Sequence, residues 1–228
     1  MNVRRVRLAT VLTAAAINLA ACGGNSATPT ATATPTPTVM PEPTVASGGS
    51  IGGERGRVEL AADGFAITLA DGWVSLPSDE DELIEVLGNI PDDVLSAQLK
   101  AQVPSIIASG MKLWAIDEAT SGGASVNVLV IDQPLDLGTG MLTSLAGQGL
   151  TMIGAETRSI EDVDVDGTDG VKALYALTSS SGGRTVSVSG TQIYVQNAGR
   201  LYIMSFSDSV GNAGDDIAAM IETIELLP

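Results

Sequence analysis

The chain has 228 residues, 11 basic and 27 acidic, no histidine and a single cysteine. Without histidine there is no Ser-His-Asp or Cys-His catalysis and no His-ligated zinc or iron centre. One cysteine excludes an intrachain disulfide, and the strong negative charge disfavours nucleic acid phosphates and anionic head groups as partners.

The first seven residues, Met1-Asn-Val-Arg-Arg-Val-Arg7, are basic, and an apolar run from Leu8 to Ala21 follows. A transmembrane helix needs about 20 apolar residues, so this shorter run is expected to be a secretory signal instead. Its end, Leu19-Ala20-Ala21-Cys22-Gly23, resembles the lipobox of bacterial lipoproteins. The resemblance implies cleavage before Cys22, acylation of that residue with palmitate-type chains, and a lipid-anchored protein on the extracytoplasmic side of a cell membrane. Removing residues 1–21 takes away three arginines and no acids, leaving 8 basic and 27 acidic residues, a net charge of −19. Attachment to a membrane is then expected through acyl chains, of which stable anchoring needs more than one.

Residues 22–54 are expected to be a disordered tether. Their Thr, Pro, Ala and Gly side chains bury too little apolar area to offset the entropy of ordering. The 28 residues 23–50 reach roughly 30 Å as a coil and about 85 Å when extended. From residue 55 to residue 228 the patterning is that of one globular domain with room for a core.

Within that domain Phe65-Ala-Ile-Thr-Leu69 alternates as a strand does, and Asp71-Gly72 turns the chain toward Trp73. Ser78 is placed to cap a helix whose first turn is Asp79, Glu80, Asp81 and Glu82. Pro91 suits the first turn of a second helix, in which Leu95, Leu99, Val103, Ile106 and Ile107 fall at helical spacing and Pro104 is expected to bend or interrupt it. Met111–Ile116 and Ala124–Ile131 read as strands joined at Gly122-Gly123. The second is rich in β-branched residues, which predicts a strand covered on both faces. Leu142, Leu145, Met152 and Ile153 predict a helix over 140–153, with Gly138-Thr-Gly140 as a flexible turn before it. Strands are expected over 156–165, 170–178, 184–196 and 200–207, the last two joined at Asn197-Ala-Gly199. Ile217, Met220, Ile221 and Ile224 line one face of a closing helix or helix–strand. This order of hairpins with helices between and after them predicts an α+β domain with an antiparallel sheet.

The stretch "GFAITLADGW" (Gly64–Trp73), the segment "SVNVLVIDQPLDLGTGMLTSL" (Ser125–Leu145) and the end "GRLYIMSFSDSVGNAGDDIAAMIETIEL" (Gly199–Leu226) together resemble the PsbP-like family. The resemblance implies a curved antiparallel sheet flanked by helices over residues 57–228. It carries over no catalytic residues, because members of that family act mostly as accessory or binding proteins.

The remaining chemical signals read as structure. Asp162, Asp164, Asp166 and Gly167 match the opening D-x-D-x-D-G of a calcium loop. The twelfth position of such a loop, where a bidentate carboxylate is needed, is Ala173, and both flanks alternate as strands, so Asp166-Gly167 is expected to turn a hairpin. Ser109-Gly-Met-Lys112 spells S-x-x-K without the partner motifs of an acylating serine. The pairs Asp92-Asp93 and Asp215-Asp216 stand where helices begin and are read as caps. Ser181-Gly-Gly183 is read as a flexible turn, and Trp73 and Trp114 as core. The expectation is a non-enzymatic binding or accessory domain without cofactor or metal, docking an envelope protein or a small apolar ligand. A carboxylate-dependent envelope hydrolase and a structural surface protein are the alternatives.

Overall fold

The computed structural model describes residues 56–77, 82, 83, 85, 86, 108–120, 123–181, 184–209 and 211–228. The expected signal peptide, Cys22, the tether, the Asp92-Asp93 pair and the helix beginning at Pro91 lie outside the described residues. Of the helix expected after Ser78 only Glu82, Leu83, Glu85 and Val86 are described, and these are helical.

The main sheet has seven antiparallel strands in the order β3-β4-β5-β9-β8-β7-β6. They are β3 (Trp73–Ser75), β4 (Met111–Asp117), β5 (Ala124–Asp132), β6 (Glu156–Val165), β7 (Thr168–Ser181), β8 (Arg184–Asn197) and β9 (Arg200–Asp208). After β5 the helix α1 (Gly138–Met152) carries the chain across one face to the far edge, where β6 begins. The meander β6 to β9 then returns to pair with β5, closing the sheet centre.

On the opposite face sits a small sheet in the order β1-β2-β10, made of β1 (Arg57–Leu60), β2 (Phe65–Thr68) and β10 (Glu225–Leu226), together with helix α2 (Gly214–Ile221). Residues alternate between two cores, as period two dictates. Along β9, Tyr202, Met204 and Phe206 enter the core shared with Phe65, Ile67, Trp73, Ile217 and Met220. Leu201 and Ile203 enter the other, shared with Leu142, Ala146 and Leu150 of α1. The domain is α+β, with helices on both sides of an antiparallel sheet, as the patterning implies.

Two local turns come out as their chemistry requires. Val165 pairs with Thr168, leaving Asp166 and Gly167 as a two-residue turn with φ of 50° and 76°. Both positive values are those of the type I′ turn that matches strand twist. Asn197 pairs with Arg200, so the turn is Ala198-Gly199, one residue shorter than the expected Asn197–Gly199. Gly138-Thr-Gly140 departs from expectation more clearly, because it forms the first turn of α1. Glycine costs about 1 kcal/mol in a helix relative to alanine. Burial of Leu142, Ala146, Gly149 and Leu150 against β6–β8 outweighs that cost, and backbone N–H groups at the start are met by Gln196 and Asp136.

Candidate functional site

The residues expected to look like a metal loop are placed by the hairpin. Asp164 Oδ1 accepts the Gly167 N–H at 3.0 Å, stabilising the turn itself. Asp166 Oδ2 accepts the Leu226 N–H at 2.9 Å and so ties the turn to β10. Asp162 projects from the exposed edge strand opposite Val171. Ser109 lies in the turn before β4, and Lys112 forms an ion pair with Asp63 at 3.4 Å. Asp215 and Asp216 stand in the first turn of α2, where acids favour the helix dipole. Asp216 also accepts the Trp73 indole N–H at 3.4 Å. Trp73 and Trp114 are both buried.

What composition did not point to is a row of polar side chains on the α1-facing side of the main sheet. Strand register aligns Trp114 with Asn127, Asn127 with Ser205, and Ser205 with Gln192. The neighbouring row runs Ile116, Ser125, Ser207, Gly190 and Tyr175. Ser125, Asn127, Gln192, Ser205 and Ser207 are all buried. A buried polar group needs a partner, and most of these have one. Tyr194 donates to Gln192 Oε1 at 2.9 Å, Gln192 donates to Ser205 Oγ at 3.1 Å, and the Ser125 and Ser207 hydroxyls lie 2.9 Å apart.

Two atoms have none. Among the described residues, Trp114 Nε1, a donor, and Asn127 Oδ1, an acceptor, are buried without a hydrogen-bond partner. They belong to cross-strand neighbours on adjacent strands of the same face. Leaving such a group unmet costs about 1–3 kcal/mol each. A hydroxyl group carries both an acceptor for an indole N–H and a donor for an amide oxygen. On the same face Ile116 and Ser125 neighbour this pair on one side and Leu129 and Ile203 on the other, with Ser205 beside Asn127.

Tyrosine lines the far end of the floor. Tyr175 lies across Gly190, so closely that a Cβ on Gly190 would stand 2.1 Å from the ring. Burial pushes the Tyr175 phenol up to about 12, and pushes Tyr194 higher still, with Tyr175 adding to the effect. Both phenols are therefore neutral donors, not bases, at physiological pH. The pairing of Tyr175 with Gly190 follows from the register of β7 and β8, in which Ser181 stands opposite Arg184. The buried carboxylates are engaged by backbone. Asp208 accepts the Gly211 and Ala213 N–H groups at 2.7 and 2.8 Å, and Asp117 accepts that of Ala119 at 2.9 Å.

No family model matches the chain, and no curated protein sequence matches it either. Among solved structures it is similar in shape to a cyanobacterial PsbP from Synechocystis, at 16% identity and a TM-score of 0.48 over 81% of this chain and 99% of the other. It is also similar to LpqN, described as involved in cell envelope biogenesis of Mycobacterium tuberculosis, at 12% identity and a TM-score of 0.38 over 72% and 83% of the two chains. A point mutant of Mog1 gives 11% identity and a TM-score of 0.42, over 76% and 96%.

Proposed function

We propose that this protein is an extracytoplasmic lipoprotein, held to the cell membrane by lipid on Cys22, whose folded domain is a non-enzymatic binding or accessory module for the cell envelope. The observation that supports binding is the unmet pair Trp114 Nε1 and Asn127 Oδ1 on a sheet face that is otherwise apolar or internally satisfied. The ligand class that fits is a small, mainly apolar molecule carrying one hydroxyl group, delivered to or taken from an envelope protein. Binding is favoured over hydrolysis because Asp117 and Asp208 are engaged as backbone acceptors. Two neutral, strongly acid-weakened phenols also give no base for proton abstraction.

The test uses the mature protein extracted from its own membranes in mild detergent. Mass spectrometry should show an acylated Cys22 at the amino terminus, and native spectra should show a small co-purifying molecule. In a Trp73→Phe background Trp114 supplies the only indole resonance, and releasing the ligand should shift that N–H signal. A free Cys22 thiol or a retained signal peptide would defeat the anchor. An indole that exchanges as if bonded to water alone, with no adduct in the native spectra, would defeat the ligand.

A further inference from the structure

Helix α1 presents an uncharged surface. In a chain with 17% charged residues and a net charge of −16, its fifteen residues Gly138–Met152 contain no charge at all. Among the described residues the exposed large hydrophobic side chains are Leu135, Met141 and Met152, at 70%, 54% and 60% exposure. All three belong to this helix or to the loop leading into it. Met141, Leu145, Gln148 and Met152 fall at helical spacing along its length.

Three hydroxyls of the same helix bond back to its own backbone. Thr143 donates to Thr139 O at 2.9 Å, Ser144 to Gly140 O at 3.1 Å and Thr151 to Gly147 O at 2.8 Å. A Ser or Thr that bonds the carbonyl four residues back satisfies its hydroxyl without water, which is how such residues are carried in apolar surroundings. The outer face thus presents methyl groups and thioethers, with the exposed Gln148 amide among them.

The geometry points to a bilayer surface as the occupant of this face. The inference rests on the reading of Cys22 as a lipid anchor, which confines the domain beside a membrane. A mature chain of net charge −19 next to an anionic leaflet is repelled on every acidic side; α1 itself carries no acid and has Asp136 only at its start, so it is the side that approaches. Once there, exposed Leu and Met side chains leave water for the interface. A second copy fits less well, because joining two such faces brings two strongly negative bodies together. The chain enters the domain at β1, on the layer opposite α1. The tether must therefore pass round three layers, about 30 Å at roughly 10 Å a layer. A linker that reaches about 85 Å extended is long enough to allow this.

Since Cys22 is the only native cysteine, single-cysteine labelling reports on this directly. Met141→Cys and Met152→Cys place an environment-sensitive nitroxide on α1, and Ala219→Cys places one on the exposed side of α2 as the reference. The acylated full-length proteins are reconstituted in phosphatidylcholine vesicles, with and without phosphatidylglycerol. The labels at 141 and 152 are expected to show a several-fold higher ratio of oxygen to nickel-chelate accessibility than the label at 219. On vesicles with phosphatidylglycerol, added salt should raise that ratio, because it screens repulsion. Replacing Leu135, Met141 and Met152 by glutamine should remove the dry signature from a label at Thr151 while the protein stays bound. Equal wetness at 141, 152 and 219 on vesicle-bound protein would overturn the proposal and leave the anchor standing. Dryness only in a dimeric fraction, or only in native membranes that contain other proteins, would overturn it too. Labelling of the protein with no added cysteine would reveal a free Cys22 and remove the reading beneath it.

Discussion

Replacing Gly190 by alanine inserts one methyl group where the structure has no room for it. The new Cβ would lie 2.1 Å from Tyr175 Cζ and 2.4 Å from both Cε1 and the phenolic oxygen. Ordinary carbon–carbon contact is near 3.5–4.0 Å, so the ring must move by more than an ångström. Tyr175 is only 4% exposed and packs among Val171, Ala173, Leu177 and Tyr194 of the α1-side core. It cannot move without either straining β7 and β8 or leaving the core. Overpacking of this kind costs about 1–3 kcal/mol, and expelling a large aromatic side chain about 3–5 kcal/mol. Gly190→Ala is therefore expected to lose about 3 kcal/mol, measured by urea unfolding monitored by circular dichroism. The cause is isolated by a double-mutant cycle, because the clash is with one side chain. In a Tyr175→Ala background the same Gly190→Ala change should cost less than about 0.5 kcal/mol, while Tyr175→Phe should give no relief because Cζ remains. An equal cost with and without the Tyr175 ring would refute this account and place the requirement for glycine in the backbone of β8.

The buried phenols make the fold sensitive to alkali. Tyr175 is raised by burial to about 12 from an ordinary value near 10, and Tyr194 moves the same way. Both stay protonated in the folded chain when the unfolded chain has already ionised them, so their contribution is complete below pH 10 and falls as pH rises toward 12. The slope approaches about 1.4 kcal/mol per pH unit for each tyrosine. Chemical denaturation at successive pH values with absorbance near 295 nm checks it, and ionisation of Tyr175 and Tyr194 near pH 10 with the fold intact would contradict it. Millimolar calcium should leave the melting temperature unchanged, while Asp166→Ala should lower stability by about 1–2 kcal/mol through the lost bond to Leu226 and the positive φ of 50°. A calcium-dependent rise in melting temperature that Asp166→Ala abolishes would restore the metal reading. Tyr202→Phe removes the hydroxyl that donates to Asp63 O at 2.9 Å and should cost about 1–2 kcal/mol in thermal or urea melts.

The division between chain and fold is visible at particular residues. Asp166-Gly167 was legible because a two-residue turn depends on its own φ angles and on period-two neighbours. Val163 and Val165 therefore point to one face whatever lies beyond them. The same holds for the boundaries of β6 and for Ile217, Met220 and Ile224, whose spacing alone says which side is buried. The strands β1 and β10 gave no such signal. Four and two residues long, they exist because β2 pairs with both, and β10 comes from the other end of the domain. Gly138-Thr-Gly140 looked like a turn because local propensity opposes helix there, and packing on β6–β8 overrode it.

The candidate floor divides the same way. Ser125, Asn127, Gln192, Ser205 and Ser207 sit on three separate stretches of chain that read simply as strands. Only the pairing of β5 with β9, more than seventy positions apart, brings Asn127 against Ser205 and sets Trp114 beside them. The sequence by itself settled charge, missing histidine, a lone cysteine behind a lipobox-like stretch and the alternation of an antiparallel α+β domain, since each is a property of residues or near neighbours. Tertiary structure alone decided which polar atoms meet and which two, among the described residues, are left without a partner, because hydrogen bonds between distant strands depend on register, and register is a property of the whole sheet.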